Sequence, residues 1–145
     1  MKNFITALMF LLSTSGSSAY ADQPALSLKD AWIAEAPPVS KVMVAYMTII
    51  NDAAEDITIV RAESELYSSI EFHETKREDG IARMLRHDKL TIPAGSSITL
   101  KRGGKHLMLF NPGKRLKAGD TVDIKLTTAS NTSQTFAVSV KKSRF

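Results

Sequence analysis

The 145-residue sequence contains no cysteine. That excludes disulfide stapling and leaves stability to packing alone. It also excludes any thiolate metal site, including the blue-copper type, which needs a Cys ligand. Long hydrophobic runs are nearly absent too. The two clear runs, Phe4 to Leu12 and Val42 to Ile50, are each too short to span a bilayer. Charge of neither sign is concentrated. The formal net charge of +4 is spread along the chain, apart from small clusters at Lys101-Arg102, Lys114-Arg115-Lys117 and Lys141-Lys142-Arg144. Such a pattern reads as a solvated surface, not as the basic stripe with interleaved aromatics that nucleic acid requires. No Gly-x-Ser-x-Gly elbow is present, so a hydrolase of that type is not indicated.

Histidine is also scarce, at three in the chain, and there are six methionines. Met1 and Met9 fall in the N-terminal apolar segment, which leaves Met43, Met47, Met84 and Met108. Four of these few soft donors fall in one pattern, His73-x10-Met84-x21-His106-x-Met108. Imidazole nitrogen with thioether sulfur suits monovalent copper better than zinc, magnesium or calcium. The set therefore points to one Cu(I) site.

The opening MKNFITALMFLLSTSGSSAYA has a short positive start at Lys2, an apolar centre and a small-x-small end at Ala19-Tyr20-Ala21. It reads as a signal peptide, residues 1–21, cleaved before Asp22. With no Cys at the cleavage point, no lipid anchor is expected. An exported, periplasmic domain of residues 22–145 is expected, with a net charge of +3 once Lys2 is removed. An absence of thiols suits copper handling there, because thiolates in an oxidising compartment are lost to disulfides.

The rest of the chain has a period of two. Short β-rich runs are separated by turn signals about every ten residues, which predicts one all-β domain, a sandwich or barrel. Strands are expected near 28–34, 42–50, 57–62, 68–75, 81–86, 90–92, 97–101, 106–110, 122–127 and 136–141. Val42 to Ile50 is apolar on both faces and reads as a central strand. Glu78-Asp79-Gly80 reads as a hairpin turn, and Gly103-Gly104 as a turn with positive φ available at both positions.

These elements allow the four donors to meet. His106 and Met108, at i and i+2, leave one face of a strand about 7 Å apart, with Leu107 and Leu109 on the core side. His73 and Met84 flank the 78–80 turn, so a hairpin brings them opposite or diagonal on one face. Taken alone, Met84 reads as a core gap-filler and His73 as a rim histidine; the full spacing shifts both towards a site. Each histidine should use its other ring nitrogen on a supporting group, with Glu71, Glu74 and Asp79 as the nearby candidates. His87 reads as a surface histidine, Met43 and Met47 as core, and Trp32 as core or rim.

The segments HETKREDGIARM, IPAGSSITLKRGGKHLMLF and LKAGDTVDIKL, in this order and spacing, resemble the periplasmic copper(I) chaperones often called PCuAC. AWIAEAPP and AYMTIIN are similar to the family's N-terminal strands. The resemblance implies a single cupredoxin-like or immunoglobulin-like β-sandwich and a non-enzymatic role. It implies one Cu(I) per chain on His73, Met84, His106 and Met108; a monomer is expected. It also implies delivery towards the dinuclear copper site of cytochrome c oxidase, with the copper subunit of that enzyme or a Sco-type protein as partner. Three departures stand out. Lys76-Arg77 occupies the stretch where many members carry another methionine. The chain ends KKSRF, without a His/Met-rich tail. Arg102 stands where the family often has proline. Copper storage or resistance, and a β-sandwich interaction module without copper, are the alternative functions.

Overall fold

The structure is a computed structural model, described over residues 25–143. The expected leader lies outside the described residues. Ten strands follow in chain order: β1 (Leu26–Ala34), β2 (Val42–Asn51), β3 (Ile57–Glu63), β4 (Tyr67–Glu78), β5 (Ile81–His87), β6 (Leu90–Ile92), β7 (Ser97–Leu100), β8 (Lys105–Pro112), β9 (Thr121–Thr128) and β10 (Ser133–Lys141). Each sits where the period-two pattern places it, with ends shifted by a few residues.

Strand order in the sheet is β5-β4-β8-β2-β1-β10-β9-β3-β6, with β7 added beside β2. The β1–β10 pairing is parallel, and the other pairings are antiparallel. A bridge between Ala62 and Ile70 joins β3 to β4 and closes the sheet on itself. The all-β expectation holds, and the closure makes the fold barrel-like, one of the two forms the period-two pattern allows, where the resemblance implied a sandwich. Two strands share an edge between neighbours. β2 pairs with β8 over Val42–Ala45 and with β7 over Met47–Ile50. β4 meets β3 at Ile70 and β5 from Phe72 onwards. This splitting lets one curved sheet replace two flat ones.

Side-chain alternation explains the core. Along β2, Met43, Ala45, Met47, Ile49 and Asn51 are buried, while Val42, Val44, Tyr46, Thr48 and Ile50 are half-buried. Met43 and Met47 are core residues, as their strand predicts. Ile70 and Phe72 of β4 and Leu107 and Leu109 of β8 join them. Burial of such side chains contributes about 1.5–3 kcal/mol each, and here it operates without disulfides. Buried Asn51 ties the end of β2 across the fold: its Nδ2 donates to the carbonyls of Glu55, Ile92 and Pro93, and its Oδ1 accepts from Ala53 N–H.

Two local features aim side chains. Asp30 has φ 53° at a register shift between Lys29 and Trp32, a bulge that sets Trp32 opposite Tyr46. Their ring centres are 5.2 Å apart, and the Arg102 guanidinium lies 5.7 Å from the Trp32 ring centre. Trp32 is therefore a rim residue. The β4–β5 hairpin turns through Asp79 (φ 52°) and Gly80 (φ 77°), with Glu78 opposite Ile81. Both central residues have positive φ, as a two-residue type I′ turn demands.

Candidate metal site

That turn fixes the register of β4 against β5, and β8 lies along the other edge of β4. His73 stands directly opposite His106, and Glu71 opposite Met108. Thr75 stands opposite Met84, and His73 opposite Arg86. Opposed residues share a face, as do residues two apart. His73, His106, Met108 and Met84 are therefore all on one face of three adjacent strands. Met84 is diagonal to His73, one of the two arrangements the hairpin allows. The two imidazole centres are 6.1 Å apart. Phe110 flanks them, 6.4 Å from the His73 ring centre.

Depth differs among the four. His106 is 6% exposed, and the His73 side chain is 14% exposed. Met108 is half-buried, and Met84 is 54% exposed. Two covered imidazoles and a half-covered thioether are thus accompanied by one open thioether, carried by a strand that is exposed over most of its length.

Ring hydrogen bonds distinguish the nitrogens. Glu71 Oε2 accepts from His73 Nε2 at 2.8 Å. The Gly104 carbonyl accepts from His106 Nδ1 at 3.0 Å. Carbonyl and carboxylate oxygens only accept, so these two nitrogens carry the protons. In neutral rings the lone pairs then sit on His73 Nδ1 and His106 Nε2. His73 Nδ1 is buried, and it is the one buried side-chain polar atom without a hydrogen-bond partner among the described residues. An orphan of this kind costs about 1–3 kcal/mol unless something else takes the lone pair. A metal ion would do so.

The supporting groups follow from parity. Glu71, two residues before His73, shares its face. Glu74 is on the other face, where it accepts from His87 Nε2 at 2.8 Å and from Lys105 Nζ at 3.3 Å. Its carboxyl is held below the usual glutamate value, first by the His87 hydrogen bond and then by Lys105 and Lys76, against the effect of burial. His87, expected at the surface, is partly covered and lies outside the donor cluster. Asp79 forms the hairpin turn. Gly104 is the supporting residue missing from the sequence-level candidates. Its carbonyl also accepts from Thr75 N–H at 3.0 Å, which locks the Lys101–Gly104 turn to β4. Gly103 alone of the glycine pair has positive φ, 74°. The double glycine signals a turn but not the direction of its last carbonyl.

No group of three or more His, Cys, Asp or Glu among the described residues could hold a metal ion. Beyond the two imidazoles, the soft donors on this face are the thioethers of Met84 and Met108, and imidazole with thioether is a donor set that favours Cu(I).

Comparison with known proteins agrees with this fold. The family model described as "Putative lipoprotein LpqE-like" matches residues 26–140. "Uncharacterized protein RP573" of Rickettsia prowazekii is 30% identical over 96 residues, 66% of this chain. The chain spans about half the length of that relative, 53%. The solution structure of the CuI form of DR1885 from Deinococcus radiodurans is 33% identical, with TM-score 0.67 over 88% of this chain and 85% of that one. A copper-bound PCuAC domain from PmoF2, at 19% identity, shares the fold with TM-score 0.69 over 82% and 94% of the two chains. The chain belongs to the LpqE-like family, and its fold is that of the PCuAC domains.

Proposed function

We propose that this protein is a periplasmic Cu(I) metallochaperone, with His73, Met84, His106 and Met108 holding one cuprous ion. The observation that carries the reading is the buried, unpartnered Nδ1 of His73 beside His106, on the face that also bears Met108 and Met84. The copper-bound forms of the similar proteins support it.

Copper here is cargo, and the site suits a carrier. Neutral donors leave the ion's single charge needing little compensation. The covered histidines supply most of the affinity, and the thioethers supply the preference for Cu(I). Met84, open to solvent on β5, is the donor that an incoming ligand displaces first. Thioethers bind more weakly than thiolates, so a thiol-bearing recipient draws the ion away. The reading assigns no catalytic step. Export rests on the leader-like residues 1–21 and on the lipoprotein description of the family model. The 145 residues hold no cysteine to which a lipid could be attached. The dinuclear copper site of cytochrome c oxidase, reached directly or through a Sco-type protein, is the proposed destination.

Titration with Cu(I) against a coloured competing chelator tests the reading, with His106→Ala/Met108→Ala alongside. One tight equivalent, lost in the double variant, is expected. Binding indifferent to the substitutions overturns it, and several equivalents favour storage. Loss of the gene should lower oxidase activity when copper is scarce; unchanged activity would exclude the proposed destination.

A further inference from the structure

Two imidazoles that face each other across a ladder would be expected to act alike, yet their surroundings differ. His106 donates its Nδ1–H to a backbone carbonyl that the Lys101–Gly104 turn holds in place. His73 donates its Nε2–H to the side chain of Glu71. The same Glu71 oxygen lies 3.7 Å from Arg86 Nε, on the strand that carries Met84. Arg86 is largely exposed and this contact is the longer one, so it is weak, and the short bond to His73 is the main contact of the carboxylate. Glu71 stands opposite Met108 and shares the donor face, but its oxygen is already committed to the ring.

We propose that Glu71 is a positioning residue that fixes His73 as the Nε2–H tautomer, so that His73 and His106 meet Cu(I) through different ring nitrogens, Nδ1 and Nε2. The inference rests on the four-donor reading above and adds to it which atoms bind and what selects them. The alternative, Nε2 from both rings, requires His73 to abandon Glu71 and to bury a protonated Nδ1 where no acceptor stands. Without the carboxylate, both tautomers of His73 are populated, and binding must first select one of them. Gly104 does the equivalent work for His106 through backbone, which no side-chain substitution removes.

Long-range 15N–1H correlation spectra of the metal-free protein test this, at about pH 8, where an ordinary imidazole is neutral. The expected result is a proton on Nε2 of His73 and on Nδ1 of His106. Glu71→Ala should bring His73 to a mixture of tautomers, leave His87 and His106 unchanged, and weaken Cu(I) binding by about 10–100-fold. Glu71→Gln, whose amide oxygen still accepts, should keep the Nε2–H tautomer and much of the affinity. On Cu(I) addition the resonances of His73 Nδ1 and His106 Nε2 should move. A proton on His73 Nδ1 in the native protein, or an unaltered tautomer in Glu71→Ala, overturns the proposal. The same tautomers with no response of either ring to Cu(I) would instead remove the copper reading, and the coordination with it.

Discussion

His73 and His106 face each other across the β4–β8 ladder with ring centres 6.1 Å apart. They come from segments on either side of β5, β6 and β7, so only the folded sheet makes them a pair. Residues that act on one ligand are not independent. Replacing either with alanine should abolish tight Cu(I) binding, and the double variant should lose little beyond the single ones. Competition titration of the three variants checks this; losses that add in full would mean the histidines act separately.

Met84 and Met43 separate ligand from core. Met84 is largely exposed and Met43 is buried. Met84→Ala should leave stability within about 0.5 kcal/mol while weakening Cu(I) binding. Met43→Ala should cost about 2–5 kcal/mol in stability with the copper stoichiometry unchanged. Urea denaturation beside Cu(I) titration of both variants reads the two effects.

Asn51 uses both ends of its amide to tie β2 to the 53–55 and 92–93 segments. Asn51→Leu removes the amide and strands several backbone groups. The expected loss is about 2–4 kcal/mol, seen as a lower denaturation midpoint at an unchanged slope.

Tyr67 donates to Met43 Sδ at 3.2 Å, and burial pushes its hydroxyl up to about 12. In the unfolded chain it ionises near the ordinary value of about 10. The folded value is the higher one. Its contribution is therefore fully present below about pH 10 and is lost as pH rises towards 12. Tyr67→Phe should be less sensitive than the native protein to raising the pH from about 9 to 11. Denaturant midpoints at the two pH values measure the difference.

Much of this was legible in the sequence because its signals are local. Alternation along 42–50 marks β2, Asp79-Gly80 marks a type I′ hairpin, and the i, i+2 spacing of His106 and Met108 puts them on one face. Parity also separates the nearby carboxylates: Glu71 shares the face of His73 and Glu74 does not, while Asp79 is taken up by the hairpin turn. What stayed hidden depends on long-range pairing. Nothing within β4 announces that β8 will flank it, or that Ala62 will bridge to Ile70 and close the barrel. The deep burial of His106 and the double use of the Gly104 carbonyl follow from that pairing.

The central claim is a mixed site of two imidazole nitrogens and two thioether sulfurs. X-ray absorption at the copper K-edge of the Cu(I)-loaded protein tests it most directly. The account predicts a cuprous edge with both nitrogen and sulfur scatterers, and a weaker sulfur contribution in Met84→Ala. A first shell of nitrogen and oxygen alone, unchanged by that substitution, would contradict it.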